Sequence, residues 1–267
     1  MARKPKSEKV ARGPEYRMRG IHGRIIQAIG EAIVGGRYRP GDLKPRESDL
    51  VEQFGASRTA VREAIKVLAA KGLIETRQKV GTRVRPQEQW NHFDPEIIAW
   101  RLGGGFNDDF IRDLIELRQI TEPAAARLAA SRATLADIAE LEGALRTMEA
   151  SKGDPEAYAK ADTAFHMKVF LASHNNLVAS FAYTIRQILE ATFKLHQSSK
   201  GPSAYGDDED IAFHRAVLER ISRGEPERAA EAMSDVIAAA KRDLVRAQQE
   251  HAQQEQGQPS KPARRAG

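Results

Sequence analysis

The chain has 267 residues, a mass of 29.6 kDa and no cysteine, which excludes disulfide bonds, a thiolate nucleophile and metal sites with sulfur ligands. A mean hydropathy of −0.54, without an apolar run of about 18 residues, excludes a membrane span. The length favours two domains, and 41% hydrophobic with 30% charged residues is typical of a soluble globular protein. The basic N-terminus lacks the apolar stretch of a signal peptide, so we expect a cytoplasmic protein.

The net charge of +5 is unevenly distributed along the chain. Residues 1–86 contain 20 basic and 9 acidic residues, a net charge of +11, whereas the remainder has 22 and 28, a net charge of −6. Residues 1–19 mix Pro, Gly and charges without periodicity, and we interpret them as a flexible arm. The asymmetry favours a nucleic-acid-binding module joined to a second domain, although a solvated basic tail produces the same pattern.

Residues 20–86 are predicted to form three helices followed by a two-stranded wing. Isoleucine recurs every fourth residue in the first helix, which indicates one amphipathic face: Ile21, Ile25, Ile29 and Ile33. The other predicted helices and strands span residues 47–54, 57–71, 73–76 and 82–85. This arrangement is typical of a winged helix-turn-helix that binds DNA.

The third helix has two chemically distinct faces. Its apolar residues fall at i, i+4 and i+7 and are predicted to face the core: Val61, Ile65 and Leu68. Its basic residues repeat every four positions on another face: Arg58, Arg62 and Lys66. Arginine can bind O6 and N7 of guanine with two hydrogen bonds, and a lysine nearer the C-terminus suits phosphate. The pattern predicts a helix that reads the major groove, unless the stripe is only the solvated face of a structural helix.

Three motifs of this module are distinctive. The most specific is the run Ser57-Arg58-Thr59-Ala60-Val61-Arg62-Glu63-Ala64-Ile65, supported by Tyr38-Arg39-Pro40-Gly41 and Gly72-Leu73-Ile74-Glu75. By these motifs, residues 21–85 resemble the GntR-type bacterial transcription regulators. The resemblance implies that Arg58, Thr59 and Arg62 contact operator bases and phosphates.

The same resemblance implies that the wing tip, with Gln78 and Lys79, enters the minor groove. The start of the second helix departs from the family pattern. Ser48 stands where many members have a DNA-contacting Arg, and Arg46 lies two residues earlier. We assign Arg46 to the DNA-binding surface, because Ser48 lacks the guanidinium that usually makes the contact from its position.

Residues 87–107 contain Pro and Gly and are predicted to form a linker with room for a short helix. From residue 108 the pattern becomes helical, and we expect an all-helical bundle over 108–250. Its predicted helices span residues 108–131, 134–151, 155–173, 175–197, 208–223 and 226–250. Residues 251–267 are rich in Gln, Pro and Arg and are expected to be disordered. The predicted fold class is therefore mainly α.

Charged residues lie on or beside three apolar stripes of this bundle. Asp162 and His166 are four residues apart on one stripe, His214 lies in a second, and Arg118 with Glu122 extends a third. Burying such groups costs free energy unless they pair or bind a ligand. Plainer explanations are a hydrogen-bonded core histidine, an i,i+4 salt bridge between Arg118 and Glu122, and a hydrogen-bonded Asp162–His166 pair. Their coincidence on three stripes favours a ligand site.

The charged residues lie in three motifs: Leu117-Arg118-Gln119-Ile120-Thr121-Glu122-Pro123, Asp162-Thr163-Ala164-Phe165-His166 and Phe213-His214-Arg215-Ala216-Val217. By these motifs, residues 108–246 resemble the FCD ligand-binding domain of the FadR subfamily. Many such domains hold a divalent metal with one Asp and three His. The resemblance implies Asp162, His166 and His214 as ligands, with Val236 at the fourth position. Three ligands could still hold zinc, nickel or manganese with water or an effector completing the shell, so the presence of a metal stays open.

The resemblance also implies an effector. The Arg that matches Arg118 often faces an effector carboxylate in this family. The stretch Gln89-Trp90-Asn91-His92-Phe93-Asp94-Pro95 is similar to the D-galactonate-responsive members, which also lack the last-helix His. We therefore expect a carboxylate effector, with a sugar acid favoured, bound by Arg118, Asp162, His166 and His214.

The predicted function is a homodimeric transcription factor, most often a repressor, that reads a pseudo-palindromic operator in double-stranded DNA. Effector binding would lower operator affinity by shifting the population of domain arrangements.

Two other functions compete with this prediction. A metal-dependent hydrolase could activate water at Asp162, His166 and His214, but no general base is placed beside them by sequence and the DNA module would have no role. A nucleoid-type protein would bind DNA without sequence preference. RNA binding is disfavoured because no aromatic residues are interleaved with the basic stripe.

Overall fold

The computed structural model describes residues 20–43, 46–77, 81–103, 108–197 and 207–257. The chain divides into two compact units between His92 and Phe93. The fold is mainly α, as predicted, with one two-stranded antiparallel sheet among the described residues. Within those ranges, no helix combines the length and the apolar character that crossing a membrane requires. The predicted arm, residues 1–19, lies outside the described part of the chain.

The first unit is a three-helix domain with a wing. Its elements are α1 (Ile21–Val34), α2 (Glu47–Phe54), α3 (Arg58–Ala70), β1 (Ile74–Arg77) and β2 (Gly81–Val84). The two strands place Ile74 opposite Val84 and Arg77 opposite Gly81. The predicted apolar faces of α1 and α3 meet in the core, where the following side chains are buried: Ile25, Ile29, Ile33, Val61, Ile65 and Leu68. Ile21, at the start of α1, is only partly covered.

Local signals position both ends of α3. The Oγ of Ser57 accepts a hydrogen bond of 3.2 Å from the backbone N–H of Ala60, which satisfies one of the N–H groups left unpaired at a helix start. Beyond the other end, Gly72 has a φ of 79°, and a Cβ there would lie 2.4 Å from the carbonyl oxygen of Gln89. Only glycine tolerates both the left-handed backbone and the close approach.

The segment predicted as a linker, residues 87–107, is largely structured where it is described. A 3-10 turn over Gln87–Gln89 precedes Trp90, whose Nε1 donates a hydrogen bond of 3.1 Å to the carbonyl oxygen of Arg85. Helix α4 (Pro95–Gly103) belongs to the second unit. Its apolar side chains are buried: Ile97, Ile98, Trp100 and Leu102. Burial of four large side chains explains why this stretch is a packed helix.

The second unit is all-helical. After α4 it contains α5 (Asp108–Arg132), α6 (Leu135–Ala150), α7 (Pro155–Ala172), α8 (Asn176–Gln197), α9 (Asp208–Ser222) and α10 (Pro226–Gly257). The predicted ends agree with these bounds within one residue, except at the last helix. There α10 continues through residues 251–257, which were expected to be disordered, because Gln, Glu and Ala favour helix and no proline interrupts them.

The helices of the second unit enclose one apolar core. Helix α5 packs against α7, α9 and α10, and α7 packs against α6 and α8. The core cluster includes large side chains from several of these helices: Phe165, Phe170, Ile188, Ile211, Leu145 and Met233. This packing places the polar residues of α5, α7 and α9 beside one another.

Candidate functional site

Five charged or titratable side chains of the second unit lie together inside its core. Arg118 and Glu122 come from α5, Asp162 and His166 from α7, and His214 from α9. Arg118, Glu122, His166 and His214 are buried, and none of these four is more than 6% exposed. The side chain of Asp162 is 21% exposed. The i,i+4 spacing on two helices and the apolar stripe on the third place these side chains in one layer.

Asp162, His166 and His214 converge on one point. The Oδ1 of Asp162 lies 3.0 Å from Nε2 of His214 and 3.6 Å from Nε2 of His166. The two Nε2 atoms are 3.4 Å apart. Among the described residues, these three form the group of potential metal ligands whose donor atoms all lie within 4.8 Å of one another. The structure therefore brings together the three residues singled out in the sequence.

The other ring nitrogen of each histidine, Nδ1, lies beside an oxygen acceptor. Nδ1 of His214 lies 2.8 Å from the backbone carbonyl oxygen of Asp210, which can only accept, so this nitrogen carries the proton. Nδ1 of His166 contacts Oε2 of Glu122 at 2.6 Å. The carbonyl oxygen of Asp210 orients the ring of His214, and the carboxylate of Glu122 lies beside the ring of His166. Both Nε2 atoms face the point of convergence, as the donor atoms of metal ligands do.

Two nitrogens and one carboxylate oxygen form a donor set that suits zinc, nickel or manganese. Val236 on α10 is buried and offers no donor atom. The residues present thus fit a divalent metal held by three protein ligands, with a coordination position left for water or an exogenous oxygen.

Glu122 and His166 form a buried ion pair. Burial raises the pKa of Glu122, but the charges of Arg118 and His166 outweigh burial and lower this pKa to about 2. Burial lowers the pKa of His166, but Glu122 and Asp162 outweigh burial and raise this pKa to about 9. Without a metal, Glu122 is therefore ionised and His166 protonated near neutral pH. A metal at Nε2 of His166 would displace that proton.

The guanidinium of Arg118 is held at one of its three nitrogens. Its Nε donates a hydrogen bond of 2.6 Å to Oε1 of Glu122, which is the i,i+4 salt bridge anticipated from the spacing. Among the described residues, neither of its Nη groups has a hydrogen-bond partner. Two parallel Nη donors match the two oxygens of a carboxylate. The Nη groups of this buried arginine therefore offer two donors of the kind that a carboxylate accepts from.

Sequence reasoning missed two members of this site. The hydroxyl of Tyr158 donates a hydrogen bond to Oδ2 of Asp210, and the other carboxylate oxygen of Asp210 lies 3.6 Å from Nδ1 of His214. The signals existed, because Tyr158 precedes Asp162 by four residues and Asp210 precedes His214 by four. The proposed Asp162–His166 hydrogen bond is replaced by a shorter contact between Asp162 and His214.

The first unit exposes the basic face of α3. The side chains of Arg58, Thr59, Arg62 and Lys66 are all exposed. Nε of Arg62 donates a hydrogen bond of 2.9 Å to Oε1 of Glu47, the first residue of α2, and Lys66 pairs with Glu63 at 2.8 Å. Arg58 makes no hydrogen bond or ion pair with any described residue.

Two residues at the start of α2, Arg46 and Ser48, are also exposed. Arg46 is the N-cap residue of α2, and Ser48 donates a hydrogen bond of 3.0 Å to Oδ1 of Asp49. The wing-tip residues Gln78 and Lys79 lie outside the described part of the chain.

Comparison with known proteins decides the family. Residues 22–84 match the bacterial regulatory proteins of the gntR family, and residues 113–239 match the FCD domain. The chain is 34% identical over 221 residues to the galactonate operon transcriptional repressor of Escherichia coli K12, covering 83% of this chain and 95% of the relative. The chain belongs to the GntR family of bacterial regulatory proteins.

Two further similarities agree with this assignment. The HTH-type transcriptional regulator LutR of Bacillus subtilis 168 is 34% identical over 162 residues, which cover 61% of this chain and 72% of LutR. The solved structure of Lar, which controls the expression of the Listeria monocytogenes agr system, superposes with a TM-score of 0.58 at 19% identity. That match covers 85% of this chain and 98% of Lar, and at this identity it supports the fold alone.

This GntR-family member is a sequence-specific DNA-binding transcriptional regulator with an FCD effector-binding domain. Its domains and relatives are those of a regulator and not of an enzyme, so the metal-dependent hydrolase is not supported. The nucleoid-type alternative loses its basis for the same reason, because a family of operator-binding regulators accounts for the basic module.

Proposed function

We propose that this regulator is a repressor that leaves its operator when a small carboxylate, with a sugar acid favoured, binds inside the second unit. The observation that supports this most strongly is the buried guanidinium of Arg118, whose Nη groups have no hydrogen-bond partner among the described residues. A buried cation with two unused donors favours an anionic ligand that supplies two acceptors. The named operon of one relative, that for galactonate, agrees with a sugar acid.

The polar cluster also suits the rest of a sugar acid. Arg118 would bind the carboxylate, while Asp162, His166 and His214 would bind hydroxyl groups, directly or through a metal. If a divalent metal such as zinc, nickel or manganese is bound, Asp162, His166 and His214 hold it. The metal would supply a positive charge and open coordination positions for ligand oxygens. Val236 leaves one such position without a protein donor.

The DNA-binding role rests on the exposed face of α3. We assign Arg58, Thr59 and Arg62 to base edges and neighbouring phosphates, and Lys66 with Arg46 to phosphates. Gln78 and Lys79 at the wing tip are assigned to the minor groove.

We further propose that two copies of the chain read a pseudo-palindromic operator, in the cytoplasm where that DNA lies, because winged helices commonly bind two half-sites as dimers. Effector binding then couples to operator release through a change in the arrangement of the two units, and the coupling is reciprocal.

The DNA-binding part is tested by a gel shift on the DNA next to the regulator's own gene. Arg58→Ala and Arg62→Ala should each weaken the sequence-specific shift strongly, because one bidentate contact to guanine is worth about 1–3 kcal/mol. Arg146→Ala, which removes an exposed arginine from α6, is the matched control and should leave the shift intact. Absence of a specific shift, or a shift that neither α3 substitution weakens, would contradict the proposal.

The effector part is tested by thermal unfolding with a panel of sugar acids, with and without a chelator. A ligand that binds the folded protein raises its melting temperature by mass action. Arg118→Lys keeps a charge to pair with Glu122 but removes the planar fork, so it should lose the shift while remaining folded. A shift that is equal in wild type and Arg118→Lys would argue against carboxylate binding at Arg118.

A further inference from the structure

Glu47 and Arg62 join the two helices of the helix-turn-helix by a single charged contact. Nε of Arg62 donates to Oε1 of Glu47 at 2.9 Å, although the two residues are fifteen positions apart in sequence. The side chain of Arg62 remains 65% exposed and that of Glu47 35%. The pair therefore lies on the surface that α3 would present to DNA.

The nitrogen that Glu47 engages matters for base reading. The arginine side chain has five N–H donors arranged in a rigid planar fork. With Nε occupied by Glu47, the two Nη groups remain, and a fork of two donors is what O6 and N7 of guanine require. A free arginine samples many rotamers and loses that freedom on binding, whereas one tied at Nε is already restricted.

The negative charge of Glu47 is expected to weaken binding to DNA of any sequence. A carboxylate beside Arg62 would face the phosphate backbone in every complex, and this repulsion does not depend on base sequence. Ordering of Arg62 is useful only where a guanine accepts from its Nη groups. A residue that weakens all complexes but assists the matched one increases discrimination.

We propose that Glu47 is a specificity-determining residue that positions Arg62 to read a guanine and disfavours DNA without one. This inference rests on the proposed reading of bases by Arg62. The second ion pair of α3, Lys66–Glu63 at 2.8 Å, provides a matched comparison on the same helix. Its ammonium is a point charge without a planar fork, so Glu63 has no base-reading geometry to impose.

The test compares Glu47→Ala with Glu63→Ala in the full-length protein. Fluorescence anisotropy at one salt concentration measures affinity for the duplex that wild type selects from a random library, and for a scrambled duplex of equal composition. Glu47→Ala should lose about tenfold on the selected duplex, within the range of one bidentate contact to guanine. It should gain about twofold on the scrambled duplex because a negative charge has gone. Glu63→Ala should bind both duplexes more tightly and keep their ratio.

Two further variants separate positioning from a structural effect. Glu47→Gln keeps an acceptor oxygen without the charge, so its ratio of selected to scrambled affinity should lie between those of wild type and Glu47→Ala. In an Arg62→Ala background, Glu47→Ala should no longer lower the ratio, because its effect passes through Arg62.

The possible outcomes distinguish the inference from the function on which it rests. A ratio that falls in Arg62→Ala but survives in Glu47→Ala would overturn this proposal alone. A ratio that Arg62→Ala leaves unchanged would overturn both the role of Glu47 and the reading of bases by Arg62. A further fall caused by Glu47→Ala in the Arg62→Ala background would show that Glu47 acts on base selection independently of Arg62, which also contradicts the proposal.

Discussion

Oε2 of Glu122 lies 2.6 Å from Nδ1 of His166, and both side chains are buried. The other carboxylate oxygen of Glu122 accepts from Nε of Arg118, also at 2.6 Å. One carboxylate therefore links the guanidinium proposed to bind an effector with an imidazole proposed to bind a metal or a hydroxyl. Removing this charge would disturb both partners at once.

Glu122→Gln is expected to destabilise the second unit strongly. Breaking a buried ion pair leaves an uncompensated charge, which typically costs about 3–5 kcal/mol. Glu116→Gln on the same helix is the control, because the contact of Glu116 with Arg112 is long, at 3.9 Å, exposed and screened by solvent. Urea unfolding of both variants measures the difference. Equal stabilities would show that the buried charge of Glu122 is not needed by its partners.

Metal binding is expected to stabilise the fold through His214. Zinc or nickel at a concentration about 100 times its dissociation constant should raise the free energy of unfolding by about 2.7 kcal/mol, and a chelator should reverse the effect. His214→Ala removes a ligand and should abolish the response. His174→Ala, which changes a half-exposed histidine paired with Asp137, should keep it. Stabilisation that persists in His214→Ala would place the metal elsewhere.

Substitution by alanine is expected to change stability in opposite directions at Gly72 and at Gly143. Gly72→Ala should destabilise the first unit by at least about 1–3 kcal/mol, because alanine is strained at a φ of 79° and its Cβ would clash with the carbonyl oxygen of Gln89. Gly143→Ala lies within α6, where the nearest atom is a side-chain nitrogen at 3.9 Å, and should stabilise by up to about 1 kcal/mol. Thermal unfolding distinguishes them. A neutral Gly72→Ala would contradict the packing of that turn.

The capping box of α6 predicts a pH-dependent contribution from Asp137. Burial raises the pKa of Asp137, but hydrogen bonds from Thr134 and His174 outweigh burial and hold this pKa below its usual 3.8. A carboxyl whose pKa is lower in the folded state stabilises the protein above its usual pKa and loses that contribution as pH falls through the lowered value.

Asp137→Ala should therefore cost about 1 kcal/mol at pH 7, and the difference from wild type should shrink below about pH 4. Glu140→Ala, in the next turn of α6 and exposed, is the control. Unfolding measured at several pH values tests this. A difference that stays constant down to pH 2 would show that the charge of Asp137 does not contribute.

Features encoded by local chemistry could be predicted from the sequence. Ser57 and Thr134 cap helices, and Gly72 follows the end of α3, because caps and left-handed glycines act within one turn. The convergence of Asp162, His166 and His214 followed from i,i+4 spacing on apolar stripes together with the family resemblance.

Features that depend on tertiary packing could not be predicted from the sequence. The contact of Tyr158 with Asp210 joins residues on different helices, and the Glu47–Arg62 pair joins α2 to α3. The spacing of residues along the sequence does not indicate such pairs, because the distance between the two side chains depends on how the helices pack. The inclusion of α4 in the second unit could not be predicted either. A short apolar stretch between Pro and Gly residues is typical of a linker, and only its packing partners show that it is a core helix.

We propose that a carboxylate bound at Arg118 causes the regulator to release its operator. The most direct measurement is fluorescence anisotropy of operator binding with a panel of aldonates that includes D-galactonate and D-gluconate. In wild type, at least one aldonate should weaken operator binding by about tenfold or more, within the usual range of allosteric coupling. Arg118→Lys should bind the operator as wild type does and lose the response. Operator affinity that no aldonate changes, or that falls equally in both proteins, would show that Arg118 does not couple carboxylate binding to operator release.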